Sequence, residues 1–143
     1  MLSYRHAFHA GNHADVLKHL LLIQLSRYMG QKDKPFWIID THAGAGLYSL
    51  DSGYATQLKE YESGIGRLWQ RKDLPPALAE YMSLVHAVNP GGALHFYPGS
   101  PWLALQTLRA QDRLRLFELH SSDSRILQDN FADRRVAITT ANG

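Results

Sequence analysis

The 143-residue sequence contains no cysteine, which removes disulfides and thiolate metal sites from consideration. Long hydrophobic runs are missing too: the longest, such as 20–23, are four residues, against the ~20 a membrane-spanning helix needs. The opening Met1-Leu2-Ser3-Tyr4-Arg5-His6 lacks the apolar centre of a secretory signal, so a cytoplasmic protein with no membrane partner is expected. Neither sign of charge dominates, with 15 Lys and Arg against 13 Asp and Glu, so charge is informative only locally. There is no internal repeat and no low-complexity segment.

What is present is a hydrophobic content of 45%, enough for a core, and eight histidines. Four of these, His6, His9, His13 and His19, lie in the first nineteen residues. The most informative stretch is Phe36-Trp37-Ile38-Ile39-Asp40-Thr41-His42-Ala43-Gly44-Ala45-Gly46. An apolar run of strand length ends in a carboxylate and opens into a loop with glycines two apart. Parallel strands hand over to ligands in this way at their carboxyl ends, where glycine lets backbone approach.

The remaining pattern predicts an arm over 1–11, then a helix capped by Asn12 and closed by Gly30, with apolar residues at Val16, Leu17, Leu20, Ile23 and Leu25. A first strand is expected over 36–40. Two short helices follow, one with Leu58, Tyr61, Ile65, Leu68 and Trp69 on a face, the other with Leu78, Tyr81, Met82 and Val85. Residues 93–97 read as a short extended piece, and Ser100 with Pro101 starts a helix running to about Gln111. Strands at 114–119 and 136–140 flank a helix at 124–131.

Glu118 ends the second core strand 78 residues after Asp40 but only 18 after Ser100. A βαβ crossover places its strand-end acid roughly 20 residues past the glycine loop. The simplest account is a helical insertion over 50–92, between 1–49 and a continuation at 93–143. Three strands are fewer than such a sheet requires, so an α/β Rossmann-like fold truncated after its third strand is expected. It would leave the first strand as an exposed edge.

Each constellation has more than one reading. A dinucleotide fingerprint would place a third glycine where Ser49 stands. S-adenosylmethionine, which has no phosphate, suits Asp40, Gly44 and Gly46 better, and Glu118 can accept both ribose hydroxyls. The bland alternatives are a tight turn without ligand and an exposed strand-end glutamate. Ser100 is a helix cap, a ligand contact, or both, and His42 packs the loop or touches the ligand. The arm invites a metal reading, but no carboxylate precedes Asp15 in it and no His-Glu-x-x-His occurs. Its Tyr4, Arg5, His6, Phe8 and His9, with Lys18, mix rings and cations as single-stranded nucleic-acid surfaces do. An ordinary packed arm is the alternative.

The opening Met1-Leu2-Ser3-Tyr4-Arg5-His6-Ala7-Phe8-His9-Ala10-Gly11-Asn12-His13-Ala14-Asp15-Val16-Leu17-Lys18-His19 resembles the amino terminus of bacterial 23S ribosomal RNA adenine-N6 methyltransferases. Asp40 to Gly46, Tyr97-Pro98-Gly99-Ser100-Pro101 and Glu118-Leu119-His120 resemble that family in order and spacing. The family has also carried a label for use of external DNA as a nutrient. The resemblance implies a class I methyltransferase with an inserted helical subdomain and S-adenosylmethionine as cofactor. His19, His42, Ser100 and Glu118 fall on the family's cofactor positions, with Lys18 in the same segment. Tyr4 falls on an RNA-contacting position, and Arg5 and His6 are grouped with it. Asn142-Gly143 stands where the family has Asp-Gly. The family's catalytic Asp-Pro-Pro-Tyr is not found: Pro75-Pro76 follows Leu74, and Asn89-Pro90-Gly91 lacks a second proline.

Three functions follow as expectations: an RNA methyltransferase acting on 23S ribosomal RNA, monomeric in its longer parent; a nucleic-acid-binding module without catalysis; and a nicotinamide-dependent oxidoreductase, disfavoured by Ser49.

Overall fold

The computed structural model describes residues 4–143; the Met1-Leu2-Ser3 opening of the family-like segment lies outside the described residues. After a 3-10 turn at His6–Phe8, helix α1 spans His13–Met29. Asn12 caps it by accepting the Asp15 N–H, and Gly30 follows its last turn. The buried stripe of α1 is not the expected apolar one. Asp15, His19, Ile23 and Ser26 point inward, while Leu17 and Leu25 are 60% and 63% exposed. Apolar residues stand nearly all round this helix, so their period does not select a face. Partners select it instead: Ser26 bonds Thr107 at 2.5 Å and His19 bonds Tyr97 at 2.6 Å.

Strand β1 (Trp37–Asp40) leads into β2 (Leu47–Ser49), and β3 (Phe96–Pro98) returns antiparallel to β2, pairing Tyr48 with Tyr97. This ribbon was only half anticipated, as an extended piece near 93–97. Asn89 builds it: its side chain donates to Val85 O and Phe96 O and accepts from His95 N and Phe96 N. Because Gly46 opens into a strand, the glycine loop does not start a helix as a dinucleotide fingerprint would.

Between β2 and β3 the first expected helix is broken. Helix α2 (Gly53–Leu58) stops at Lys59, whose φ of 52° is left-handed, and 3-10 turns at Glu60–Ser63 and Ile65–Arg67 carry on. Helix α3 (Pro76–Ala87) buries Tyr81, Met82 and Val85 as expected. These residues share one core with Ile23 of α1 and with Tyr48 and Tyr97 of the ribbon.

Helix α4 (Ser100–Thr107), β4 (Arg113–Phe117), α5 (Ser121–Asn130) and β5 (Val136–Thr139) complete the chain. Helix α4 ends well before Gln111, where Asp112 accepts the Arg109 N–H and closes a turn. The fold is mixed α/β with a parallel sheet of order β1-β4-β5. One face packs Ile38, Leu114, Leu116 and Ile138 on Ala104 of α4, on Leu108 just past it and on Leu127 of α5. The other face exposes Trp37 and Ile39, with Arg115 lying 5.2 Å over the Trp37 ring. Strand β1 is a sheet edge.

Candidate functional site

A cavity of about 530 Å³ opens at the carboxyl ends of β1 and β4. One wall is peptide. The Gly44 N–H donates to Glu118 Oε2 and the His120 N–H to Glu118 Oε1, both at 2.7 Å. Glu118, half-buried just past β4, therefore staples the loop after β1 to the start of α5. Gly44 has φ +67°, and a Cβ there would lie 2.1 Å from the Tyr48 hydroxyl oxygen. That oxygen accepts the Ala45 N–H. A side chain at 44 would collide with the residue that orders the next peptide.

Asp40 and Ser100 meet in this wall. Ser100 does not cap α4, since the capping position is Gly99 and carries no side-chain bond. Its hydroxyl donates to Asp40 at 2.5 Å, and the other Asp40 oxygen accepts the His42 N–H. A carboxylate partner across the loop outcompetes the local capping preference of serine. Ser100 and His42 line the cavity, whereas Asp40 lies behind them.

The second wall is made of side chains from the arm and α1. The Tyr4 hydroxyl is hydrogen-bonded to His6 Nδ1 at 2.8 Å, and His6 Nε2 donates to Asp15 at 2.7 Å. Asp15 also accepts the Gly11 N–H and lies 3.4 Å from Lys18 Nζ. Burial alone would raise the Asp15 pKa. The His6 hydrogen bond and charge, with His19 and the Gly11 N–H, outweigh it and hold Asp15 below its usual value. Burial lowers His19 from 6.5 to about 4, so its ring is neutral at pH 7. Tyr4 stacks on His9 at 5.4 Å and remains 66% exposed.

Tyr4, His6, Lys18, His19, His42, Gly44, Ser100, Glu118 and Asn142 all face the one cavity. Arg5, Gly46 and Gly143 do not, for separate reasons. Arg5 donates to Asp123 at 2.7 Å, to Ser122 and to the Tyr54 hydroxyl, which ties the arm to α5 and α2. The Asp123 hydrogen bond raises its pKa. Gly46 lets α5 approach, since a Cβ there would lie 2.4 Å from the Phe131 ring. Gly143 packs on Thr41 and Phe117.

Sequence reasoning missed Asp15, Tyr48, His120 and Asp123 as lining residues. Asp15 reads as a first-turn acid on α1, and its pairing with the half-buried His6 nine positions earlier carries no signal in the pattern. Nothing in the sequence pattern links Tyr48 or Asp123 to the loop. Two of the histidines that invite the metal reading each have an acid: His6 has Asp15, and His9 has Glu60 at 3.0 Å.

Residues 33–143 match the family model described as ribosomal RNA large subunit methyltransferase D, RlmJ. The whole chain is 51% identical to ribosomal RNA large subunit methyltransferase J of Escherichia coli K12, covering 51% of that protein. It is 48% identical to the Haemophilus influenzae protein of the same name, covering 52%. The crystal structure of protein LPL1258 from Legionella pneumophila superposes with a TM-score of 0.85 at 38% identity, over 93% of this chain and 49% of that one. The chain spans about half the length of the curated relatives it matches.

Proposed function

This chain belongs to the ribosomal RNA large subunit methyltransferase D (RlmJ) family, and from that membership we propose that it carries the cofactor site of an enzyme that methylates adenine N6 in 23S ribosomal RNA. The sheet and its helices are then part of a Rossmann-like class I fold, with 50–92 as its helical insertion. The protein works on RNA in the cytoplasm, as a monomer.

The observation that carries the reading is Glu118 beside the Gly44 peptide, at the carboxyl ends of two adjacent parallel strands. Each Glu118 oxygen accepts one backbone N–H and keeps further acceptor capacity. That is what a ribose diol needs. The cavity volume lies within the range of small-molecule sites. The residues present therefore fit S-adenosylmethionine, which when bound supplies an electrophilic methyl group on its sulfonium. Glu118 would hold the ribose, Gly44 would admit the ligand against bare backbone, and Asn142 would offer its carbonyl oxygen to the adenine amine. His19, His42 and Ser100 would meet the remainder. On the opposite wall Tyr4 presents a ring face to a target base, and Lys18, 64% exposed at its side chain, presents a cation to RNA phosphate. Residues 1–143 contain no Asp-Pro-Pro-Tyr turn, so no group here is assigned as acceptor for the target amine.

Calorimetric titration with S-adenosylmethionine tests the reading. Glu118→Ala is expected to weaken binding by about 1–3 kcal/mol, the scale for losing a buried polar contact. Unchanged affinity would remove Glu118 from the site. Nucleoside mass spectrometry of treated 23S RNA should show N6-methyladenosine. The exposed Tyr4–His9 stack also suits RNA binding without transfer, the second reading; RNA retention with no methylated product would favour it. Use of external DNA has no separate structural support in this cavity.

A further inference from the structure

Three aromatic side chains form a hydrogen-bonded file from the core to the cavity. The Tyr81 and Tyr97 hydroxyls are 2.6 Å apart, and the Tyr97 hydroxyl is 2.6 Å from His19 Nδ1. Both tyrosines are fully buried, and His19 is 6% exposed. Tyr81 comes from α3, Tyr97 from β3 and His19 from α1, so three separate elements converge. The Tyr81 hydroxyl has no other partner among the described residues. His19 Nε2 has none either, yet it is not among the sealed side-chain atoms that lack a hydrogen bond among the described residues, Arg5 Nε and Asp15 Oδ1. Nε2 is thus the ring nitrogen with access to the cavity that His19 lines.

Two hydroxyl protons and one imidazole proton can be arranged along this file in three ways. If His19 Nδ1–H donates to Tyr97 and Tyr97 to Tyr81, the Tyr81 proton is buried without an acceptor. If His19 and Tyr81 both donate to Tyr97, the Tyr97 proton is orphaned. Only when Tyr81 donates to Tyr97 and Tyr97 to His19 Nδ1 is every buried donor satisfied. An orphaned buried donor costs about 1–3 kcal/mol, enough to decide the arrangement.

We propose that Tyr97, seconded by Tyr81, is a positioning residue that fixes His19 with its proton on Nε2, aiming a hydrogen-bond donor into the cavity at a ligand carboxylate. The neutral imidazole is what makes the choice of tautomer meaningful, and burial keeps the ring neutral. The ligand half of this inference rests on the S-adenosylmethionine reading above; the tautomer half does not. A donor at His19 and an acceptor at Glu118 would tell the amino-acid end of that molecule from its ribose end.

The test uses the whole protein with 15N-labelled histidine, the His19 resonances being assigned by their loss in His19→Gln. The unliganded protein should show a protonated Nε2 and an unprotonated Nδ1. Tyr97→Phe should abolish that preference, whereas Tyr81→Phe should keep it, because Tyr97 then still has Nδ1 as its one acceptor. A proton found on Nδ1, or a tautomer change in Tyr81→Phe, overturns the file. Calorimetry then compares S-adenosylmethionine with its decarboxylated analogue. Wild type should prefer the carboxylate-bearing ligand by about tenfold or more, and Tyr97→Phe should lose most of that preference. A preference untouched by Tyr97→Phe overturns the carboxylate assignment. If wild type binds neither ligand while Nε2 carries the proton, the functional reading falls and the carboxylate half with it, but the file stands.

Discussion

The two walls of the cavity are built from different materials. The glycine-loop wall is peptide held by carboxylates: Gly44 N–H on Glu118, His120 N–H on Glu118, His42 N–H on Asp40. The arm wall is side chain held by side chain: Tyr4 on His6, His6 on Asp15, Arg5 on Asp123, His19 on Tyr97. A peptide wall owes its shape to φ and ψ and to residues without side chains. A side-chain wall owes its shape to protonation states and to pairs far apart in sequence. The first should respond to substitution at glycine, the second to pH and to the loss of a partner.

The largest difference is expected from acid. His19 titrates near 4 when folded and near 6.5 when unfolded, so as pH falls the unfolded chain takes up the proton first. The contribution of neutral His19 is complete above pH 6.5 and is lost progressively between 6.5 and 4, by about 3 kcal/mol. Urea denaturation across that range should show the loss, and His19→Gln should flatten it. An equally steep curve in His19→Gln would assign the acid sensitivity elsewhere.

Gly44→Ala probes the other wall. It combines a left-handed backbone with a methyl placed against the Tyr48 hydroxyl, for a loss of about 2 kcal/mol in thermal or chemical denaturation. Adding Tyr48→Phe removes the colliding oxygen and should recover part of that loss, leaving the backbone contribution. No recovery would mean the hydroxyl is not what the methyl meets. The smallest effect sharpens the side-chain wall. Arg5→Ala leaves Asp123 buried without its cation and should cost about 1.5 kcal/mol, a loss that Asp123→Asn in the same chain should largely cancel. Strict additivity of the two substitutions would deny the pair.

This contrast also explains what was legible in the sequence. Asn12 and Gly30 bracket α1, and Asp40, Gly44 and Glu118 mark the strand ends, because caps, glycines and strand-end acids act locally. The buried face of α1 was not legible, since Leu17, Leu20, Leu21 and Leu25 leave the period undecided and His19 turns inward only to reach Tyr97, 78 positions away. The β2–β3 ribbon is three residues a side and depends on Asn89, which reads from sequence as an ordinary turn residue. The helix expected through Leu58, Tyr61 and Ile65 has the right spacing, but Lys59 takes a left-handed conformation that spacing cannot foresee. Arg5 looked like an RNA contact for the same reason: a cation in an arm says nothing of an Asp123 that arrives from α5.

The β1–β4 register joins Trp37 to Arg113, 76 positions along the chain. Tying a flexible chain at two points so distant carries an entropic cost of about 4 kcal/mol, which a four-position ladder offsets poorly unless the intervening helices are already compact. Glu118 reaches Gly44, 74 positions away, across the same closure. A molecule that fits between them therefore finds no half-made version of its site on a partly folded chain, and its binding energy accrues wholly to the finished state.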